Sequence, residues 1–216
     1  MGPLVSARRR RYSTLLGLAV VVLVVVNIVF AKSADVTGIA PGHTLAPFAT
    51  PLVLGSLNGD ADIATRADDG ADGRVPACAE RGAQILNVCQ LYERGPVVLA
   101  LFVDGGSCPR VLTEMQALVP AFPRVRFAAV SIEGDRRTLR RLVRSLGLTL
   151  PVGVDSDGAV AALYKVVTCP QVNFAYRGGV VQSDALLGSA SLATLRRRVS
   201  ELVAASRVRE RPEPAA

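Results

Sequence analysis

Between Pro96 and Gly147 two kinds of apolar pattern alternate, and this stretch constrains the fold more than any other. Residues 97–103 are a continuous apolar run of strand length, which suits a strand covered on both faces. Val111, Leu112, Met115, Leu118 and Val119 then recur at helical spacing. Residues 126–132 form a second run that reads as a buried strand. Asp135 stands where it can cap a helix whose stripe of Leu139, Leu142, Val143 and Leu146 ends at Gly147. Strand, helix, strand, helix at this spacing predicts a parallel βαβ core.

The flanks are less regular. After Gly147 come a short strand at 151–154, a short helix near 159–163, and a hairpin of 172–176 and 180–181 turning on Arg177-Gly178-Gly179. Ser191 is placed to cap a last helix carrying Leu192, Leu195, Val199, Leu202 and Val203. Residues 206–216, rich in Arg, Glu and Pro, read as a disordered tail. On the other side, Asn58-Gly59 between residues 51–54 and 61–63 predicts a hairpin. Residues 66–84 read as loop. The acidic cluster Asp68, Asp69 and Asp72 there lacks the ligand spacing of a calcium loop, so no metal is expected.

The N-terminus sets topology. Residues 15–31 are apolar apart from Gly17 and Asn27, close to the ~20 residues of a membrane span. Arg8, Arg9, Arg10 and Arg11 precede them, so residues 1–14 are expected in the cytoplasm and the chain beyond Lys32 outside it. The alternative is a cleaved signal peptide ending at Val29-Phe30-Ala31. The apolar run exceeds the ~7–15 residues usual for one. The expected order is therefore a transmembrane helix at 15–31, a tether at 32–44 and an exported domain at 45–205, single-pass in the cell membrane.

The net charge of +7 belongs largely to this anchor. Setting aside the four arginines and Lys32 leaves 20 basic residues against 18 acidic ones, so no nucleic-acid partner is expected. Arg136, Arg137, Arg140, Arg141 and Arg144 make a basic helix face. It reads as solvated, with anionic lipid or an acidic partner as the alternative. Four cysteines, Cys78, Cys89, Cys108 and Cys169, would lie in an oxidising compartment. They allow three pairings, and spacing alone does not choose among them.

Four features occur in order: the buried strand at 97–103, Cys108-Pro109 at the start of the next helix, Thr168-Cys169-Pro170 before a hairpin, and a closing amphipathic helix. In this the chain resembles thioredoxin-like proteins of the redoxin branch, which include membrane-tethered thiol–disulfide oxidoreductases and peroxiredoxins. The resemblance covers about residues 45–205. It implies an α/β fold with a mixed central sheet flanked by helices. It also makes Cys108 the nucleophile, Pro170 a substrate-binding cis-proline, and the organic cofactor absent. A helix N-terminus favours a thiolate, the nucleophilic form.

One departure matters. Oxidoreductases of the family carry Trp-Cys-x-x-Cys, whereas Ser107 and Val111 stand here at the tryptophan and second-cysteine positions. In this fold the residue before the cis-proline faces the nucleophile, so the resemblance makes Cys169 the resolving thiol. It leaves Cys78–Cys89 as a structural staple in a thin-cored insertion. Protein thiols and disulfides outside the cytoplasm, or a membrane redox partner, are then the expected substrates. The runner-up chemistry is a peroxidase. Arg110 is placed to polarise a substrate, but Gly105 and Leu101 occupy the positions three and seven before Cys108, and neither helps to hold a peroxide. The other alternative is a non-catalytic binding module whose four cysteines are all structural. The single histidine, His43, has no catalytic partner in the sequence.

Overall fold

The apolar run at 97–103 forms the central strand, and every residue of it from Val97 to Phe102 is fully buried. A computed structural model describes residues 20–22, 38–66 and 75–210. The expected cytoplasmic segment, most of the expected transmembrane helix, the acidic cluster at 68–72 and residues 211–216 lie outside the described residues. Among the described residues no helix is long and apolar enough to cross a membrane. The chain divides after Val36, and the earlier unit is described only at residues 20–22, which are helical and exposed.

From Thr37 onward the strands are β1 (Ala49–Pro51), β2 (Ile85–Asn87), β3 (Val97–Phe102), β4 (Arg126–Ser131), β5 (Val152–Val154), β6 (Gln171–Ala175) and β7 (Val181–Leu187). The α-helices are α1 (Val88–Arg94), α2 (Arg110–Leu118), α3 (Arg136–Ser145), α4 (Ala159–Leu163) and α5 (Leu192–Arg209). The main sheet has the order β5-β4-β3-β6-β7. β3, β4 and β5 are parallel, as the βαβ pattern predicts, while β6 and β7 run antiparallel, so the sheet is mixed. β1 and β2 form a separate antiparallel pair.

Alternation along β3 supplies two cores. Val98, Ala100 and Phe102 face α2, α3 and α5 through Leu112, Met115, Leu139 and Leu195. Val97, Leu99 and Leu101 face α1 and α4 through Val88, Val160 and Tyr164. The expected caps form. Asp135 Oδ1 accepts from Arg137 N–H at 2.8 Å and Ser191 Oγ from Thr194 N–H at 3.2 Å. At the end of α3, Gly147 takes a left-handed φ of 59°, and Leu148 N–H closes back on Val143 C=O at 3.2 Å.

Three expectations are corrected. The Asn58-Gly59 hairpin is absent. Asp62 makes one bridge to Ala49, and the true partner of β1 is β2, a strand that the sequence pattern did not reveal. α1 was likewise not foreseen. The tether does not run free to 44, because Gly42 N–H donates to Val181 C=O and Val181 N–H to His43 C=O, at 2.9 and 2.8 Å. The closing helix continues past 206 to Arg209. Buried Ser206 bonds back to Leu202 C=O, and the Arg209 guanidinium sits 5.2 Å from the Tyr176 ring centroid, so tertiary contacts hold the last turn.

The basic face on α3 is also not uniform. Arg136 and Arg140 fold back and donate to the carbonyls of Leu52, Val53, Gly55 and Leu57, clasping the loop after β1. Arg137, Arg141 and Arg144 are exposed.

Candidate active site

Cys108 arrives at the site because β3 ends at Phe102 and the chain must turn before α2. Gly106 takes a φ of 58°, which a glycine tolerates without strain, and Cys108 N–H closes the turn on Gly105 C=O at 3.3 Å. Cys108 lies two residues before the first helical residue, Arg110, with Pro109 at the cap position. The first helical N–H groups are not free, however. Arg110, Val111 and Leu112 donate to the carbonyls of Ser107, Cys108 and Pro109.

Cys169 comes from the segment between α4 and β6. Its bond to Pro170 is cis. Pro170 is buried, and its carbonyl accepts from Gly188 N–H at 2.8 Å, which ties this loop to the end of β7. Cys108 and Cys169 are joined by a disulfide with Cα atoms 5.6 Å apart, across 61 positions of sequence. Cys108 is only 4% exposed and Cys169 is partly exposed. Cys78 and Cys89 are joined separately, with Cα atoms 5.4 Å apart, beneath the start of α1. Asn87 ties the same insertion independently, its Nδ2 donating to Ala77 and Glu80 C=O at 2.7 Å each.

The group that sequence reasoning missed is a main-chain donor. Val103 N–H, just past the end of β3, points at both sulfurs, 3.3 Å from Cys108 Sγ and 3.2 Å from Cys169 Sγ. A hydrogen bond to a thiolate favours the charged form. With the helix N–H groups occupied, this amide is the donor placed to receive that charge. No residue type announces it, because any residue but proline supplies it.

The remaining candidates are scattered. Arg110 is exposed at the start of α2, and among the described residues no hydrogen bond or ion pair fixes its guanidinium. Ser107 Oγ lies 3.5 Å from Ser189 Oγ, so the tryptophan position is occupied by a hydroxyl that touches the β7–α5 loop. Leu101 is buried within β3, and Gly105 offers no side chain. His43 contributes its backbone to β7. Val167, two residues before Cys169 in the chain, is an apolar side chain that is 73% exposed. A cavity of about 560 Å³ is lined by Gly95, Pro96, Arg124, Arg126 and Arg177 among others. Those residues lie at the start of β3, the end of the sheet opposite the cysteines, so that cavity does not serve the disulfide.

No protein-family model matches the sequence, and no curated protein is similar to it. Solved structures are similar in fold. A protein assigned as the thiol:disulfide interchange protein DsbE of Chlorobium tepidum shares 13% identity over 78% of this chain and 98% of its own, with a TM-score of 0.57. Peroxidoxin BcpB from Mycobacterium tuberculosis shares 17% over 77% and 97%, with a TM-score of 0.55. The thioredoxin domain of a thiol-disulfide oxidoreductase from Bacteroides vulgatus shares 15% over 76% and 99%, with a TM-score of 0.54. The sheet order, the cis-proline and these likenesses show that the chain from Thr37 onward has the thioredoxin-like fold, as redoxin-type thiol–disulfide oxidoreductases do.

Proposed function

We propose that this protein is a membrane-anchored thiol–disulfide oxidoreductase whose redox pair is Cys108 and Cys169. The observation that carries the reading is the bridge between a cysteine before α2 and a cysteine preceding a cis-proline, with one amide aimed at both sulfurs. In the reduced protein the Cys108 thiolate attacks one sulfur of a substrate disulfide. A mixed disulfide forms and the other substrate sulfur leaves as a thiolate. Cys169, as thiolate, then attacks Cys108 Sγ, and the second substrate sulfur departs as the Cys108–Cys169 bridge closes. Two electrons pass to the substrate, and the reverse sequence oxidises a dithiol. Cys169 takes the part of the missing second cysteine of the motif, whose position is filled by Val111, buried in the α2 core.

Exported protein thiols and disulfides, or a membrane redox partner, are the proposed substrates. Exposed Val167, two residues before Cys169 in the chain, and the exposed loop at Gly105 and Gly106 suit a polypeptide partner better than an enclosed small molecule. Residues 15–31 would anchor the chain, with Arg8 to Arg11 keeping the N-terminus inside. Retention in the membrane pellet after alkaline washing tests the anchor, and release of a shortened chain into the soluble fraction contradicts it.

The chemical test is trapping. Cys169→Ser should accumulate mixed disulfides on Cys108, and Cys108→Ser should abolish exchange. Mixed disulfides accumulating on Cys169 in Cys108→Ser would exchange the two roles. Absence of adducts in both variants would leave the cysteines structural.

A further inference from the structure

Asp60, Asp155 and Asp157 stand apart from the redox pair. They come from the loop after β1 and from the turn between β5 and α4, and one carboxylate oxygen of each lies within 4.8 Å of the other two. Asp155 is fully buried, while Asp60 and Asp157 are exposed, so the cluster is closed beneath and open to solvent above. Each carboxylate has a local task. Asp60 Oδ1 accepts from Ala61 and Ser156 N–H at 2.8 and 2.7 Å. Asp157 Oδ1 accepts from Ala159 N–H at 3.0 Å. Asp155 Oδ2 accepts from Val160 and Ala161 N–H at 3.0 and 3.2 Å.

Capping α4 accounts for Oδ2 of Asp155 and nothing more. Its Oδ1 is buried and, among the described residues, has no hydrogen-bond donor. An orphaned buried carboxylate oxygen is costly, and here two further carboxylates lie close to the same side chain. The two ion pairs among the described residues, Arg81–Glu93 and Arg197–Glu201, involve none of the three.

We infer that Asp60, Asp155 and Asp157 form a binding site for a divalent cation, with Ca²⁺ the best match. All the donors are hard oxygens, which suit Ca²⁺, Mg²⁺ or Mn²⁺ rather than zinc or copper. Ca²⁺ holds its oxygens at about 2.3–2.6 Å, so oxygens within 4.8 Å of one another can share one ion, and its irregular coordination accepts water on the open side. Mg²⁺ requires a tighter octahedron. The ion would supply the partner that Asp155 Oδ1 lacks and cancel the repulsion among three carboxylates. It would also tie the loop after β1 to the segment that leads through α4 to Cys169. The site does not depend on the redox reading.

The test uses the purified full-length protein in detergent, stripped with EDTA and titrated with CaCl2 and separately with MgCl2. Calorimetry should show one Ca²⁺ bound per chain, with Mg²⁺ weaker. At about tenfold excess over its Kd, Ca²⁺ should raise the melting temperature by roughly 3–6 °C. Asp60→Asn and Asp157→Asn each keep a capping oxygen but lose a charge. Each should melt like the parent in EDTA and bind Ca²⁺ at least about tenfold more weakly. Wild-type protein that shows neither heat nor a melting shift at ~10 mM Ca²⁺, well above the range of extracellular sites, overturns the inference. So does undiminished binding in both variants.

Discussion

Replacing Cys108 and Cys169 together by serine separates a working disulfide from a structural clamp. In the chain-entropy account a bridge stabilises by restricting the unfolded chain. A separation of 61 positions gives about 4.3 kcal/mol, and the 11 positions between Cys78 and Cys89 give about 2.8 kcal/mol. The folded state holds both sites without the Cys108–Cys169 sulfurs. The turn at Cys108 is closed by Gly105, and Pro170 is pinned by Gly188. Val103 N–H can donate to a serine oxygen as it does to sulfur. The double variant should therefore fold cooperatively and lose about 4 kcal/mol, against a total of ~5–15 kcal/mol usual for a domain. Replacing Cys78 and Cys89 should cost about 3 kcal/mol. Urea unfolding of the oxidised wild type and the two double variants measures both, and graded thiol titration of the wild type should open Cys108–Cys169 first, since Val103 N–H is placed to stabilise the thiolate that reduction releases there. Loss of a cooperative transition in the Cys108/Cys169 variant, or opening of Cys78–Cys89 first, would refute the idea that the domain tolerates repeated opening of its redox bridge.

Asp155 has a carboxyl raised from 3.8 to about 6, so the folded state binds its proton more tightly than the unfolded chain does. That contribution is fully present below about pH 4 and is lost as pH rises through about 6, at most about 3 kcal/mol, so in EDTA stability should fall over that interval. Asp155→Asn should flatten this fall in urea unfolding at a series of pH values. Arg136→Ala breaks the clasp on Leu52, Gly55 and Leu57 and should cost about 2–3 kcal/mol in the same assay, whereas exposed Arg144→Ala should change little. Gly153→Ala would drive a methyl group into the Thr50 and Leu86 side chains, so a loss of about 1–3 kcal/mol in thermal unfolding is expected. After mild reduction Cys108 should alkylate faster than Cys78 or Cys89 at slightly acidic pH, checked by peptide mapping, since Val103 N–H favours its thiolate.

Local signals carried most of the fold. The unbroken apolar runs of β3 and β4, the helical stripes of α2 and α3, and the caps at Asp135 and Ser191 each depend on residues within a few positions of one another, so the sequence displays them directly. Where partners are distant, sequence was silent. β2 is three residues long and exists because it pairs with β1 some 36 positions earlier, as in Ala49↔Asn87 and Pro51↔Ile85. Asn58-Gly59 signalled a hairpin, but the strand that it should have returned meets Ala49 at a single bridge. Arg136 and Arg140 looked like two more charges on a wet face until the loop after β1 lay across them.

The candidate site divides in the same way. Sequence by itself determined that Cys108-Pro109 follows a buried strand and that Cys169-Pro170 precedes another, and it showed that Val111 leaves the first cysteine without a neighbouring thiol. Four cysteines still allowed three pairings, because a disulfide depends on distance in space. The family resemblance pointed to Cys169 as the partner of Cys108; the tertiary structure bridges the two across 61 positions, and it alone turned Val103 N–H toward both sulfurs. It also set Asp60 against Asp155 and Asp157, a juxtaposition invisible to motif spacing. The reason is physical. Helix stripes and caps are fixed by short-range periodicity, while a shared amide, a bridge or a carboxylate cluster exists only once the sheet order β5-β4-β3-β6-β7 has brought remote turns together.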